Sequence, residues 1–236
     1  MSRKSFWLSV FLLVVIVGGV TTTLVLLTQH EPAFYSRAAI PPGQQRKDVS
    51  AGFEGRSGAL VLSIKNGGSD KGDWGGQFSE AEINSYLSEH FLTHGLADKM
   101  LPDGISDPRI GIDQDCIRLG FRYGTPPWST IVSVSFRVWL AKGEPNVIVL
   151  ELQGLHAGAL PISAQSLLEN ISEALQRHNM QVSWYRHDGN PAAALKFQSD
   201  QPRPSAQLLQ LELKPGLLTI HGHSHEALQS PLGTNP

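Results

Sequence analysis

Cysteine is nearly absent from this chain. Cys116 stands alone among 236 residues, so no internal disulfide can staple the fold, and the thiol is expected buried inside a strand. An excess of one charge is absent too. Nineteen basic residues face 21 acidic ones, and the formal charge of −2 with a pI near 6.5 supplies no field for nucleic acid. There is no Gly-x-Ser-x-Gly elbow, no Gly-x-x-x-x-Gly-Lys loop and no Gly-x-Gly-x-x-Gly turn. A serine-hydrolase nucleophile and a nucleotide site therefore have no support. Internal repeats are missing as well. These absences lead to the expectation of a non-enzymatic chain without a cofactor.

What is present begins at the N-terminus. Residues 6–27 form an uncharged, mostly apolar run directly behind Arg3 and Lys4. At about 1.5 Å per residue, a helix of that length covers the ~30 Å of bilayer hydrocarbon. Basic residues stay cytoplasmic, which predicts a cytoplasmic tail over 1–5, a transmembrane helix over 6–28 and everything later on the far side. A cleaved secretory signal is the competing reading. Its apolar core is usually about 7–15 residues long and ends in a small-x-small site. Here the run is longer, and Thr28-Gln29-His30-Glu31-Pro32 offers no such site. No cysteine follows the run, which excludes a lipoprotein anchor.

Residues 29–57 are rich in Pro, Gly, Gln, Arg and Ser and read as a linker, leaving an extracytoplasmic domain over 58–225 and a disordered tail over 226–236. Residues 59–64 (Ala-Leu-Val-Leu-Ser-Ile) suggest a first strand, and 66–73 a loop. Ser79 and Glu82 have capping-box spacing, and Ile83, Leu87 and Phe91 continue a helix toward Gly95. Period-two alternation marks strands through Ile117 to Tyr123, Val132 to Leu140 and Ile148 to Gln153, joined as an antiparallel meander. Ser163 begins a second helix carrying Leu167, Leu168, Ile171, Ala174 and Leu175. Four short strands follow, with Asp188-Gly189 and Pro215-Gly216 as hairpin turns. The order gives an α+β class: one N-terminal transmembrane helix, then a curved antiparallel sheet packed on two main helices.

Candidate chemistry is sparse. His221, His223 and His225 alternate, so in a strand they share one face and form a possible zinc or copper set. No Cys, Asp or Glu accompanies them at ligand spacing, and a solvated strand end is expected instead of a metal site. His90 and His94 lie four apart, but the Glu of a His-Glu-x-x-His site is missing; His94 suits the helix C-terminus. Asp113 and Asp115 read as turn residues. Trp74 and Trp128 are candidates for a ligand groove, while Trp139 and Trp184 are expected in or at the edge of the core.

Apolar content is the more informative feature. The large residues on adjacent strands predict a groove able to hold an acyl chain, with Val134, Phe136, Leu150, Leu152, Leu168 and Ile171 as its hypothetical walls. Arg118, Arg122 and Arg137 form an alternative, polar face for an acidic envelope partner.

Two stretches carry a resemblance. Phe78-Ser79-Glu80-Ala81-Glu82-Ile83-Asn84-Ser85-Tyr86-Leu87 and Leu152-Gln153-Gly154-Leu155-His156-Ala157-Gly158-Ala159-Leu160-Pro161 resemble the YpmS-like group of small membrane-anchored bacterial proteins. The resemblance implies a bacterial inner-membrane, single-pass protein whose domain handles a lipid or an envelope polymer. It carries over no site residue. The resulting expectation is a membrane-anchored binding protein for a lipid or lipid-linked molecule; the alternative is a structural subunit of an envelope complex.

Overall fold

The computed structural model describes residues 3–65, 72–91, 104–125, 128–163, 165, 181–196 and 206–224. The fold is α+β and every strand pairing is antiparallel. Helix α1 (Arg3–Thr28) contains the apolar run, and Leu12, Val14, Ile16 and Leu24 stand exposed along it. Among the described residues it alone is long and apolar enough to cross a membrane.

The expected meander is present as β3 (Cys116–Tyr123), β4 (Thr130–Leu140) and β5 (Val147–Ala157). Before them come β1 (Asp73–Ser79) and β2 (Ile105–Asp113); after them come β6 (Leu160–Pro161), β7 (Gln181–His187), β8 (Asn190–Lys196), β9 (Ala206–Lys214) and β10 (Leu217–Ser224). They form two sheets. The larger has the order β2-β3-β4-β5-β8-β7 with β6 on β5, and the smaller is β1-β10-β9. The two meet through Ile112, Val138 and Leu213, each buried, with Phe136, Ile148, Leu150 and Leu211 packed around them. The second helix expected after Ser163 lies outside the described residues.

The expected capping box is formed. The Ser79 hydroxyl accepts from the Glu82 amide at 3.3 Å, and the Glu82 carboxylate accepts from the Ser79 amide at 2.8 Å, starting α4 (Glu80–Tyr86). A π-helical turn, Leu87–Phe91, prolongs it. The other side chains of this segment clip α4 to β2, the edge strand of the large sheet. Asn84 pairs with both backbone groups of Ile110 at 2.8 Å, and Glu80 accepts from the Ile112 amide at 2.8 Å. An edge otherwise open to other chains is thereby closed. The resemblance-bearing segment thus has a structural explanation in these polar clips, with Ile83 packed into the core.

The linker expected over 29–57 is corrected: most of it is helical and packed. Helix α2 (Ala33–Arg37) buries Phe34 and Tyr35 on the outer face of β2 and β3. Gly111 and Gly120 make the hollow that receives them. A Cβ on Gly120 would stand 2.7 Å from the Tyr35 ring, and one on Gly111 would stand 2.9 Å from the Phe34 ring. The Tyr35 hydroxyl donates to the Asp107 carbonyl at 2.7 Å, and Arg109 donates to the Tyr35 carbonyl at 2.8 Å. Composition missed this because two aromatics, not an apolar period, do the packing.

The strand expected over 59–64 is also corrected. Those residues end helix α3 (Gln44–Lys65). Its inward side chains recur at helical spacing: Arg46 on Glu89, buried Ser50, Phe53 against Phe78 and Tyr86, then Arg56, Leu60 and Ile64. A six-residue apolar run has no intrinsic period, and the flanking Arg46, Phe53 and Arg56 determine its conformation.

Candidate ligand-binding site

The inner face of α3 roofs an apolar cavity of about 300 Å³. Leu60 and Ile64 come from α3, Trp74 from β1, Ile148 from β5, Leu208 from β9 and Ile220 from β10. A second cavity of about 360 Å³ shares Leu60 and continues along α3 past Arg56 and Ser63, with Gly75, Gly76 and Gln77 of β1 opposite. The two adjoin at Leu60, the first a dry, apolar end and the second a polar end of the space along α3. Asn146 sits at the dry rim in a left-handed conformation, φ 60°. Its amide is fully engaged, donating to the Ala206 carbonyl at 2.7 Å and accepting from the Leu208 amide at 2.8 Å. This clip joins the end of the β4–β5 turn to β9 and holds the two sheets open at the cavity.

Trp74 walls the dry end. Its benzo ring lies on Gly222, its cross-strand partner, where no Cβ would fit. The side chain is buried, yet the indole Nε1–H has no hydrogen-bond partner. A buried donor left unmet costs about 1–3 kcal/mol.

The groove walls read from the sequence lie elsewhere. Val134 and Leu152 are buried with Leu155 in a cluster that Phe136 and Val132 complete, and Phe136 and Leu150 also pack on the junction of the sheets. These four occupy one face of β4 and β5, as expected, but as packed core. Leu168 and Ile171 lie outside the described residues. Of the cavity residues, only Trp74 was singled out from the sequence. The helical spacing of Arg56, Ala59, Leu60, Ser63 and Ile64 was the signal available for the rest.

Among the described residues the most buried acidic group is Glu151, on β5. It accepts from Asn190 at 2.8 Å and meets His187 Nδ1 at 3.2 Å, so it ties the β7–β8 hairpin to the sheet. Burial pushes its carboxyl upward, but the Asn190 and His187 hydrogen bonds and the His187 charge outweigh that and hold it below the usual range. Trp139 packs beside the His187 ring at 5.2 Å between centroids. Sequence spacing gave no hint of this trio, because its members lie 36 and 39 residues apart.

The remaining candidates are engaged or dispersed. His221 and His223 lie on β10; His223 pairs with Asp73 at 2.9 Å, and His225 lies outside the described residues. Among the described residues no group of three His, Cys, Asp or Glu side chains is arranged to hold a metal. His90 stands in the π-helical turn 3.8 Å from Glu54, and His94 lies outside the described residues. Gln114 and Asp115 form the β2–β3 turn with Asp115 at φ 55°, the role expected of it, whereas Asp113 ends strand β2 instead of lying in the turn. The arginine face is occupied from within: Arg118 pairs with Asp113 at 3.0 Å, Arg122 with Glu31 at 3.8 Å, and Arg137 lies over Trp139. Trp184 is more exposed than expected, at 37%, and Cys116 is half-buried, with burial raising its thiol pKa above the ordinary value.

No protein-family model matches the chain, and no curated protein or solved structure is similar to it. Its function is therefore argued from the geometry alone.

Proposed function

We propose that the protein is a membrane-anchored binding protein that holds one lipid or lipid-linked molecule in the channel beneath α3. The observation that carries this reading is the apolar cavity beneath α3, walled by Trp74, Ile148, Leu208 and Ile220. A dry apolar cavity of about 150 Å³ takes a benzene-sized molecule, so 300 Å³ suits an acyl segment. The polar pocket beside it, near Arg56 and Ser63, accommodates a head group.

The anchor is retained in this reading. The last carbonyls of α1 are bound into the domain: the Ala159 amide donates to Leu27 at 2.8 Å, and the Thr130 hydroxyl donates to Thr28 at 2.5 Å. Gly158 approaches these carbonyls so closely that no side chain would fit. A segment built into the domain is a poor substrate for removal, and Arg3 and Lys4 favour an N-terminus in the cytoplasm of a bacterial cell with the domain outside its inner membrane. Strand β5 runs from the cavity at Ile148 to the anchor seat at Ala157, so the site stands roughly 30 Å from the helix end. The bound molecule has therefore left the bilayer, as in a carrier or a sensor.

Native mass spectrometry of the detergent-extracted full chain tests this. The wild type is expected to carry an acyl-bearing molecule, and Leu208→Trp, which fills the cavity, to lose it. An empty wild type, or full occupancy in folded Leu208→Trp, refutes the reading.

A further inference from the structure

Three exposed apolar side chains surround the place where α1 ends. Trp128 is 78% exposed, Tyr123 52% and Ile162 43%. Trp128 precedes by two residues the Thr130 that holds the Thr28 carbonyl, and Tyr123 is the cross-strand partner of Thr130. Ile162 follows β6, three residues beyond the Ala159 that holds Leu27. Three separate segments thus bring large apolar groups to one end of the sheet, beside the helix terminus.

The length of α1 says what covers them. Spanning ~30 Å of hydrocarbon takes about 20 residues. The uncharged run is only slightly longer, so its last turn marks the far boundary of the hydrocarbon. Thr130 and Ala159 contact that turn directly, which leaves no gap between the sheet end and the lipid head groups. Trp and Tyr concentrate at this level because an apolar ring with a polar edge suits the boundary between tail and head group.

We propose that Tyr123, Trp128 and Ile162 form a second membrane contact, seated in the head-group layer beside the anchor and fixing the domain upright on the bilayer. The inference rests on the retained-anchor reading but not on a ligand in the channel.

The test uses full-length protein in phosphatidylcholine vesicles containing a head-group-level nitroxide lipid. In a Cys116→Ser background, one cysteine at a time carries an environment-sensitive dye: Trp128→Cys or Ile162→Cys at the contact, Lys142→Cys at the opposite end of the sheet, and Val14→Cys within α1. The dye at 128 and at 162 is expected to be quenched several-fold more than at 142. If 128 and 162 behave like 142 while 14 is shielded in lipid, the contact is refuted and the anchor stands. If 14 is also exposed to water, the anchor reading fails and the contact with it.

Discussion

Glu151 shows how one side chain can hold distant segments together. Its carboxyl is nearly inaccessible, and its folded pKa lies below the unfolded value. A carboxylate shifted in that direction contributes stability above its unfolded pKa and loses it as pH falls through the folded one. Glu82, lowered by Ser79 and Arg56 against the opposing effect of burial, behaves in the same sense. Urea unfolding should therefore show the wild type weakening as pH drops below about 4, whereas Glu151→Gln weakens less over that range. At neutral pH the variant should already be less stable by about 1–3 kcal/mol. An unchanged acid slope in the variant would remove Glu151 from the account. Residue-scale chemistry of this kind was legible only where it was local. The Ser79 and Glu82 cap was readable because its partners sit three residues apart, while Glu151 depends on residues brought near by β8.

Helix α3 is the element on which the proposed binding site depends, and it is poorly built for helix formation. Gly52, Gly55 and Gly58 interrupt it, each with open space where a Cβ would stand. A glycine costs about 1 kcal/mol relative to alanine in a helix interior, so tertiary contacts through Phe53, Arg56 and Leu60 must hold α3 in place. Alanine at the three positions should stabilise the protein by about 0.4–1 kcal/mol each and slow hydrogen exchange across 44–65. It should also slow ligand exchange, because the roof opens less often. Faster exchange in the triple variant would mean that α3 does not act as the roof. The same glycines explain why composition suggested a linker and a strand here. The meander of β3, β4 and β5 was legible for the opposite reason: its alternation is long and unbroken, with Asp115 and Asn146 marking the turns. Helix α2 depends on a pair of glycines in other strands, a complement that only the folded sheet brings together. Gly120→Val should push Tyr35 out of its hollow and cost about 1–3 kcal/mol, read as an earlier thermal transition. An unaffected transition would show that the hollow is not tight.

Across the whole molecule, the chain from the end of α1 to α3 wraps the sheets instead of forming a loose linker. Leu27 and Thr28 are bonded to the β5–β6 turn and to β4, α2 covers β2 and β3, and α3 covers the channel. Two sheet edges are clipped by side chains, β2 by Asn84 and Glu80 and β9 by Asn146. The result places the cavity at the end of β5 far from the end of α1. The α+β class and the long apolar helix were legible because they follow from long regular segments. The cavity was not, because its walls come from five elements that no local pattern connects. A photoreactive fatty acid incubated with the full-length protein, followed by peptide mapping of the cross-link, tests the central claim most directly. The account predicts labelling of peptides bearing Leu60, Ile64, Ile148 and Leu208. Labelling at Val134, Leu152 and Leu155 instead, or none at all, would contradict it.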